Sequence, residues 1–318
     1  MEAEDVVVNY MRRIAILDLG TNTFNLLIAE KDEHGKPVFV HSKELPVEIG
    51  KGGIHKREIT SEATERAIAA LHKHRQKMSE FSIDEYYAFA TSAVRDAENG
   101  QEFTRRIRVE TGIEIKVLSG DEEAGWIYEG VRQASVLGEE VTLIMDIGGG
   151  STEFIIANQK ELFWKNSYPL GVSRLYEIFY PADPLAPKKA EVEDHISIIL
   201  KDMFEAANRF KPIELIGSSG SFESFAEMII HHTASTKKPV NGYEYPLEEF
   251  KKLYSELMVS TVEERLRMPG LVQMRAPMFS YSAILTNLVL EKTSIRRMKL
   301  SRYAMKEGIA NYLLGQQE

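Results

Sequence analysis

Two short segments of this chain carry residue types suited to holding a phosphoryl group. Asp18-Leu19-Gly20-Thr21-Asn22-Thr23 and Asp146-Ile147-Gly148-Gly149-Gly150-Ser151-Thr152-Glu153 each place a carboxylate at the end of an apolar run, followed by glycine and small hydroxyl or amide residues. Glycines let backbone N–H groups turn toward anionic oxygens, hydroxyls add donors, and an aspartate can hold a hard cation or its water shell. A third junction of the same kind joins Leu215-Ile216 to Gly217-Ser218-Ser219-Gly220-Ser221. Taken alone, the triple-glycine loop could be a tight hairpin and nothing more. The second copy changes that, because two such loops facing each other can grip adjacent phosphates.

The elements that position these residues follow from the pattern around them. The run Ile16–Ala29 aligns with Ile144–Ala157 at a constant offset of 128 residues, 146 against 18 and 157 against 29. Each copy reads as an apolar strand, a polar tip and a second apolar strand, so two related β-hairpins in two related domains are expected. Between them, Ser61–Phe81 has apolar residues at helical spacing, Glu85–Thr91 and Ile113–Leu118 read as strands, and Asp121–Arg132 has helical composition with acidic residues in its first turn. The class is therefore α/β. Residues 1–130 are expected to form the first domain and 131–318 the second, with a final helix near Ser301–Leu314 able to pack back on the first. His72, Lys73, His74 and Arg75 read as a solvated helix face.

Composition limits the remaining choices. A chain of 318 residues exceeds what one compact core usually organises. Its 43% hydrophobic and 27% charged residues are those of a globular protein, and no stretch approaches the roughly 18 apolar residues of a membrane helix. The absence of cysteine excludes disulfides, thiolate metal sites and a cysteine nucleophile. The acidic start Met1-Glu2-Ala3-Glu4-Asp5 does not resemble a signal peptide, so a cytoplasmic protein is expected. A net charge of −9 argues against non-specific binding to nucleic acid or to an anionic membrane. His231-His232 lacks a third ligand at metal spacing, and no zinc site is expected.

Taken with Ala90–Asn99, Leu118-Ser119-Gly120-Asp121-Glu122-Glu123-Ala124 and Pro169–Leu175, the glycine loops resemble the exopolyphosphatase / guanosine pentaphosphate phosphohydrolase (Ppx/GppA) family of the actin-like ATPase superfamily, over nearly the whole chain. The resemblance implies two actin-like (ribonuclease H-like) domains with the active site in the cleft between them. It also implies Mg²⁺-dependent release of terminal inorganic phosphate from polyphosphate or a guanosine polyphosphate, with Mn²⁺ as a possible substitute and a homodimer left open. It assigns Glu122 as the general base that activates water and Arg95 as a phosphate contact, with weaker support for Arg174. Gly20, Thr21, Asn22, Thr23, Gly148, Gly149, Gly150, Ser151, Thr152, Gly217, Ser218 and Gly220 become phosphate-binding residues, and Asp18, Asp146 and Glu153 the acidic set for the metal. Two alternatives attach to Glu122. It could be a first-turn carboxylate stabilised by the helix dipole, and Glu123 is its rival, since neighbours on a helix point about 100° apart.

The chain departs from the family pattern at four places. It has Asn25 and Gly125 where many relatives have arginine, Pro277 where aspartate is frequent, and Lys306 where arginine is common. Arg105, Arg106 and Arg108, or Arg296, Arg297 and Lys299, are candidates to guide a polyanion instead. An ATP-dependent small-molecule kinase of the same superfamily and a non-catalytic alarmone or polyphosphate sensor are the competing readings. The Ser119–Ala124 element favours hydrolysis.

Overall fold

The computed structural model describes residues 12–180, 183–233 and 238–315, so the acidic start lies outside it. The first half contains β1 (Arg13–Leu19), β2 (Thr23–Lys31), β3 (Pro37–Pro46), α1 (Ser61–Ser79), β4 (Glu85–Ala90), α2 (Ser92–Arg95), α3 (Gly100–Thr111), β5 (Ile115–Val117) and α4 (Gly120–Gln133). The second contains β6 (Thr142–Ile147), β7 (Thr152–Ala157), β8 (Leu162–Tyr168), α5 (Val172–Phe179), α6 (Lys189–Ile199), α7 (Lys201–Phe210), β9 (Glu214–Ser218), α8 (Ser219–His232), α9 (Leu247–Val259), α10 (Val262–Arg265), α11 (Phe279–Lys292), β10 (Arg297–Leu300) and α12 (Met305–Gly315). Among the described residues no helix is long and apolar enough to cross a membrane.

The internal repeat is visible in the topology. One sheet has the order β3-β2-β1-β4-β5 and the other β8-β7-β6-β9-β10, with antiparallel hairpins on one side and parallel pairs on the other. The register breaks between Ile28 and Ala29 in the first sheet and between Ile156 and Ala157 in the second, at equivalent positions of the repeat. The Gly20 amide donates to the Thr23 carbonyl and the Gly148 amide to the Ser151 carbonyl, both at 3.0 Å. The two polar tips are thus the same turn built twice, as the sequence offset predicts.

Three cores hold the elements together. One lies under the first sheet, one under the second, and the third fills the space between the sheets. The third joins Ile14, Ile16 and Leu27 of one sheet to Ile144, Ile155 and Ile216 of the other through Ala124, Ile127 and Val131 of α4 and Ile309, Ala310 and Leu314 of α12. The last helix therefore returns to the first half and packs against α4. The division expected after residue 130 falls inside α4, which packs against α12 in the core between the sheets.

The α4–α12 crossing depends on glycine. A Cβ on Gly130 would fall 1.9 Å from the Ala304 carbonyl oxygen, and one on Gly308 would fall 2.2 Å from that of Trp126. Any side chain here pushes the helices apart and opens the central core. Gly130→Ala is expected to destabilise the protein by at least about 1–3 kcal/mol, the scale of overpacking, measured as a lower urea midpoint. An unchanged midpoint would mean that the helices do not approach this closely.

One expectation about α1 changes. The helix is capped by Thr60, whose side chain accepts from the Ala63 amide, and it buries Ala63, Ala67, Leu71, His74 and Met78 along one face. His74 is therefore part of the packed face, and its Nε2 lies 3.1 Å from the Phe24 carbonyl oxygen. Burial holds its pKa below the usual imidazole value. His72 and Lys73 remain exposed.

Candidate active site

The two hairpin tips meet at the floor of a cleft with about 1280 Å³ of empty space, open to solvent. Gly20, Thr21, Asn22 and Thr23 line it from one side and Gly148, Gly149, Gly150 and Ser151 from the other. The glycines permit the close approach of the loops. A Cβ on Gly149 would lie 2.8 Å from Asn22 Nδ2, and one on Gly150 would lie 2.7 Å from both Thr21 Oγ1 and Ser92 Oγ. None of the three has positive φ. Among the described residues the amides of Gly149 and Gly150 donate to no protein acceptor, which leaves them available to anionic oxygens.

The third junction is shared differently from the sequence expectation. Ser219 and Gly220 line the cleft, whereas Gly217 and Ser218 do not. Gly217 is glycine because the Phe222 ring packs on it, a Cβ there falling 1.9 Å from the ring. Ser218 acts through Asp146, to which both Ser218 Oγ and Ser219 Oγ donate, at 2.6 and 2.8 Å. Ser219 holds a φ of +67°, a conformation a non-glycine residue adopts only when its surroundings impose it. Thr152 also turns away: its hydroxyl donates to the Leu170 carbonyl in the core.

Six acidic side chains line the cleft, and burial raises the pKa of four of them, Asp18, Asp146, Glu153 and Glu123. Burial raises the Asp18 pKa to about 6, Lys306 opposing and Asp146 reinforcing the shift. Burial also raises Asp146, with the two serine donors opposing. Glu153 reaches about 7 through burial and the neighbouring Asp146 charge. Glu123 is raised well above the usual carboxylate range by burial and by Glu153. This is an excess of buried negative charge that a cation would relieve. Among the described residues no three carboxylates or histidines lie close enough together to chelate one ion alone. The set fits a cation that keeps water molecules and shares its remaining positions with phosphate oxygens, as Mg²⁺ does.

Glu122 and Glu123 part company here. Ser119 caps α4 by accepting from the Glu122 amide, and Glu122 Oε2 reaches back to the Ser119 amide at 2.9 Å, a reciprocal capping box. Glu122 Oε1 pairs with Lys116 at 2.8 Å. The Lys116 partner and the Ser119 donors hold the Glu122 pKa down at about 2. Such a carboxylate faces solvent, holds a helix end and is a poor proton acceptor, so the position expected for the base is taken by the cap. Glu123, one residue on, is almost fully buried at the cleft wall, and its Oε2 is held by Arg95 Nη1 at 2.8 Å.

Arg95 itself does not line this cleft; it meets it through Glu123 and faces a second cavity behind the wall. Burial opposes its charge, but Glu123, Asp96 and Glu153 outweigh that and raise its pKa. Arg174 bridges the halves, with Nη2 on Asp96 at 2.8 Å, Nε on the Gly150 carbonyl at 3.1 Å and Nη1 on the Ile54 carbonyl at 3.3 Å.

Three cations near the site were not among its expected residues. Arg275 and Lys306 line the cleft, and Arg275 lies 3.6 Å from Glu44 across it. Lys306 pairs with Glu307 at 3.0 Å, and the Glu307 and Asp18 charges raise its pKa against the effect of burial. Lys165 Nζ stands 3.1 Å from where a Cβ on Gly125 would begin and is paired with Asp121 at 3.0 Å. The two arginine patches proposed as polyanion guides are largely neutralised: Arg105 pairs with Glu102, Arg106 with Glu65 and Glu110, Arg108 with Glu114, Arg297 with Glu140 and Glu214, and Lys299 with Glu214 and Glu244.

Comparison with known proteins identifies the family and the fold. The sequence model of the Ppx/GppA phosphatase family matches residues 27–316. An exopolyphosphatase from Cytophaga hutchinsonii superimposes with a TM-score of 0.92 at 36% identity, covering 96% of this chain and 99% of that one. Exopolyphosphatase 1 of Mycobacterium tuberculosis is 27% identical over 302 residues, 93% of this chain and 87% of its own length. An Aquifex aeolicus member of the Ppx/GppA protein family shares the fold, with a TM-score of 0.76 at 23% identity, over 97% of this chain and all of that one.

Proposed function

Because the chain belongs to the Ppx/GppA phosphatase family, we propose that it is a phosphohydrolase that removes the terminal phosphate from inorganic polyphosphate, with Glu123 as the general base. The relatives named as exopolyphosphatases support the substrate class. The observation that carries the mechanism is a buried carboxylate at the wall of a cleft floored by two glycine loops, oriented by an arginine that cannot itself take a proton.

The terminal phosphoryl group rests on the amides of Gly149 and Gly150 and the hydroxyls of Thr21, Thr23 and Ser151, with Arg275 and Lys306 offsetting the charge of the following phosphates. Glu123 accepts a proton from the attacking water as its oxygen bonds to phosphorus and the bridging P–O bond breaks. The products are inorganic phosphate and a chain one unit shorter. Asp18, Asp146 and Glu153 would hold Mg²⁺ through its water shell; when bound it supplies charge neutralisation for the phosphate oxygens. Hydrolysis of a guanosine polyphosphate uses the same groups, because only the terminal anhydride enters the floor of the cleft.

The test is phosphate release from long polyphosphate, short polyphosphate, a guanosine polyphosphate and ATP, compared side by side with Mg²⁺. With the α3 and β10 arginines engaged by carboxylates, a long chain finds no extended basic track. Short polyphosphates are therefore expected to match long ones in kcat/KM. A kcat/KM rising steeply with chain length would overturn the charge argument, and transfer of phosphate from ATP without release would favour the kinase reading.

A further inference from the structure

Behind the wall of the cleft lies a second cavity, with about 920 Å³ of empty space. Ser151 belongs to both cavities. The other wall residues have their partners on the far side. Glu123 faces the cleft and its partner Arg95 the second cavity; Glu153 faces the cleft, and Ser167, which donates to its Oε1 at 2.7 Å, faces the second cavity.

The second cavity is basic. Arg57, Arg95 and Arg174 all line it, and all three gather on Asp96: Arg174 Nη2 at 2.8 Å and Arg95 Nε at 3.5 Å from its carboxylate, and Arg57 Nε at 3.1 Å from its carbonyl oxygen. Asp96 and, from the other side of the wall, Glu123 on Arg95 are two carboxylates against three guanidiniums, and the remaining acidic neighbour on the lining, Asp121, is taken by Lys165 at 3.0 Å. Arg57 has no carboxylate partner among the described residues, and its backbone is held at a φ of +57°, where an L-residue is strained. A strained loop that presents to a cavity a guanidinium with no carboxylate partner is a device for meeting an anion.

We propose that this cavity is a second phosphate site that receives the inorganic phosphate released at the wall while the shortened polyphosphate still occupies the cleft. The inference rests on the phosphohydrolase reading above. The polymer fills the open side of the cleft and carboxylates surround its floor, so the free phosphate dianion is drawn toward the three arginines behind Ser151. Glu123 and Arg95 span the wall, so a shift of their pair accompanies passage of the ion.

Phosphate bound at this second site coexists with polymer, and added inorganic phosphate is therefore expected to give mixed inhibition, lowering kcat as well as raising KM. Arg57→Gly removes the guanidinium and relieves the positive φ, so its thermal midpoint should equal or exceed that of the wild type. In this variant the inhibition constant for the kcat effect should rise about tenfold, on the scale of one lost charge-assisted contact, while kcat and KM without added phosphate stay as they are. Arg57→Lys should restore part of the effect. Purely competitive inhibition with the same constant in both proteins would overturn the proposal. A raised KM for polyphosphate in Arg57→Gly would overturn it too, by making the cavity a polymer subsite. Titration of the intact protein with inorganic phosphate, followed by ³¹P NMR, needs no turnover: weakened binding in Arg57→Gly upholds the site even if no substrate is hydrolysed, which would instead refute the phosphohydrolase reading alone.

Discussion

Replacing Glu123 with glutamine is expected to lower kcat by about 10²–10⁴, the usual contribution of a positioned general base, while KM changes little and the protein stays folded. Glutamine fills the same space and can still meet Arg95, so the loss is confined to proton acceptance. The paired control is Glu122→Gln, which should keep kcat within a few-fold. Glutamine can still close the capping box with Ser119, so the cost is confined to the exposed ion pair with Lys116, about 0–1 kcal/mol. Because the Glu122 pKa is depressed to about 2 in the folded protein, its stabilising effect is present above the unfolded value near 4.5 and is lost as pH falls toward 2. The thermal midpoints of the wild type and Glu122→Gln should therefore differ at neutral pH and converge in acid. If Glu122→Gln proved the inactive protein and Glu123→Gln the active one, the base would belong to the cap residue and the orientation seen here would be wrong.

What could be read from the sequence, and what could not, divides by distance along the chain. The two hairpins were legible because their signal is local and doubled: the same polar tip recurs with the same flanking strands, and the structure repeats even the register break at Ile28 and Ile156. The choice between Glu122 and Glu123 was legible in principle. Ser119 followed three residues later by Glu122 is the signature of a capping box, and it turns Glu122 back on the helix end, leaving Glu123 free to face inward. The uses of individual glycines were less accessible. Gly149 and Gly150 accommodate Asn22, Thr21 and Ser92 from the other half, and Gly217 accommodates the Phe222 ring, contacts that no local pattern encodes. The cations Arg275 and Lys306 were not assigned to the site for the same reason: they reach the cleft from the turn before α11 and from α12, and only the packing of these segments brings them to the hairpin tips. Asn25 taken singly consequently overstates the loss of positive charge.

Asp146 is the residue whose removal should most directly expose the need for a cation. Asp146→Asn keeps the shape and an acceptor for Ser218 and Ser219 but deletes one of the converging negative charges. Activity is expected to fall at least about a hundredfold, comparable to losing a preorganised electrostatic contact in other active sites, and to recover in part at raised Mg²⁺. Excess EDTA should abolish phosphate release in the wild type. Stability supplies a reading independent of turnover. A cation that binds only the folded protein raises its thermal midpoint in proportion to occupancy, so Mg²⁺ should raise the wild-type midpoint and raise that of Asp146→Asn much less. Without the ion, the substitution should leave stability unchanged or improve it, because a buried carboxylate whose pKa is raised by burial is a source of strain in the charged state. Full activity in excess EDTA would remove the cation from the mechanism and leave Arg275, Lys306 and the loop amides to carry the phosphate charge alone.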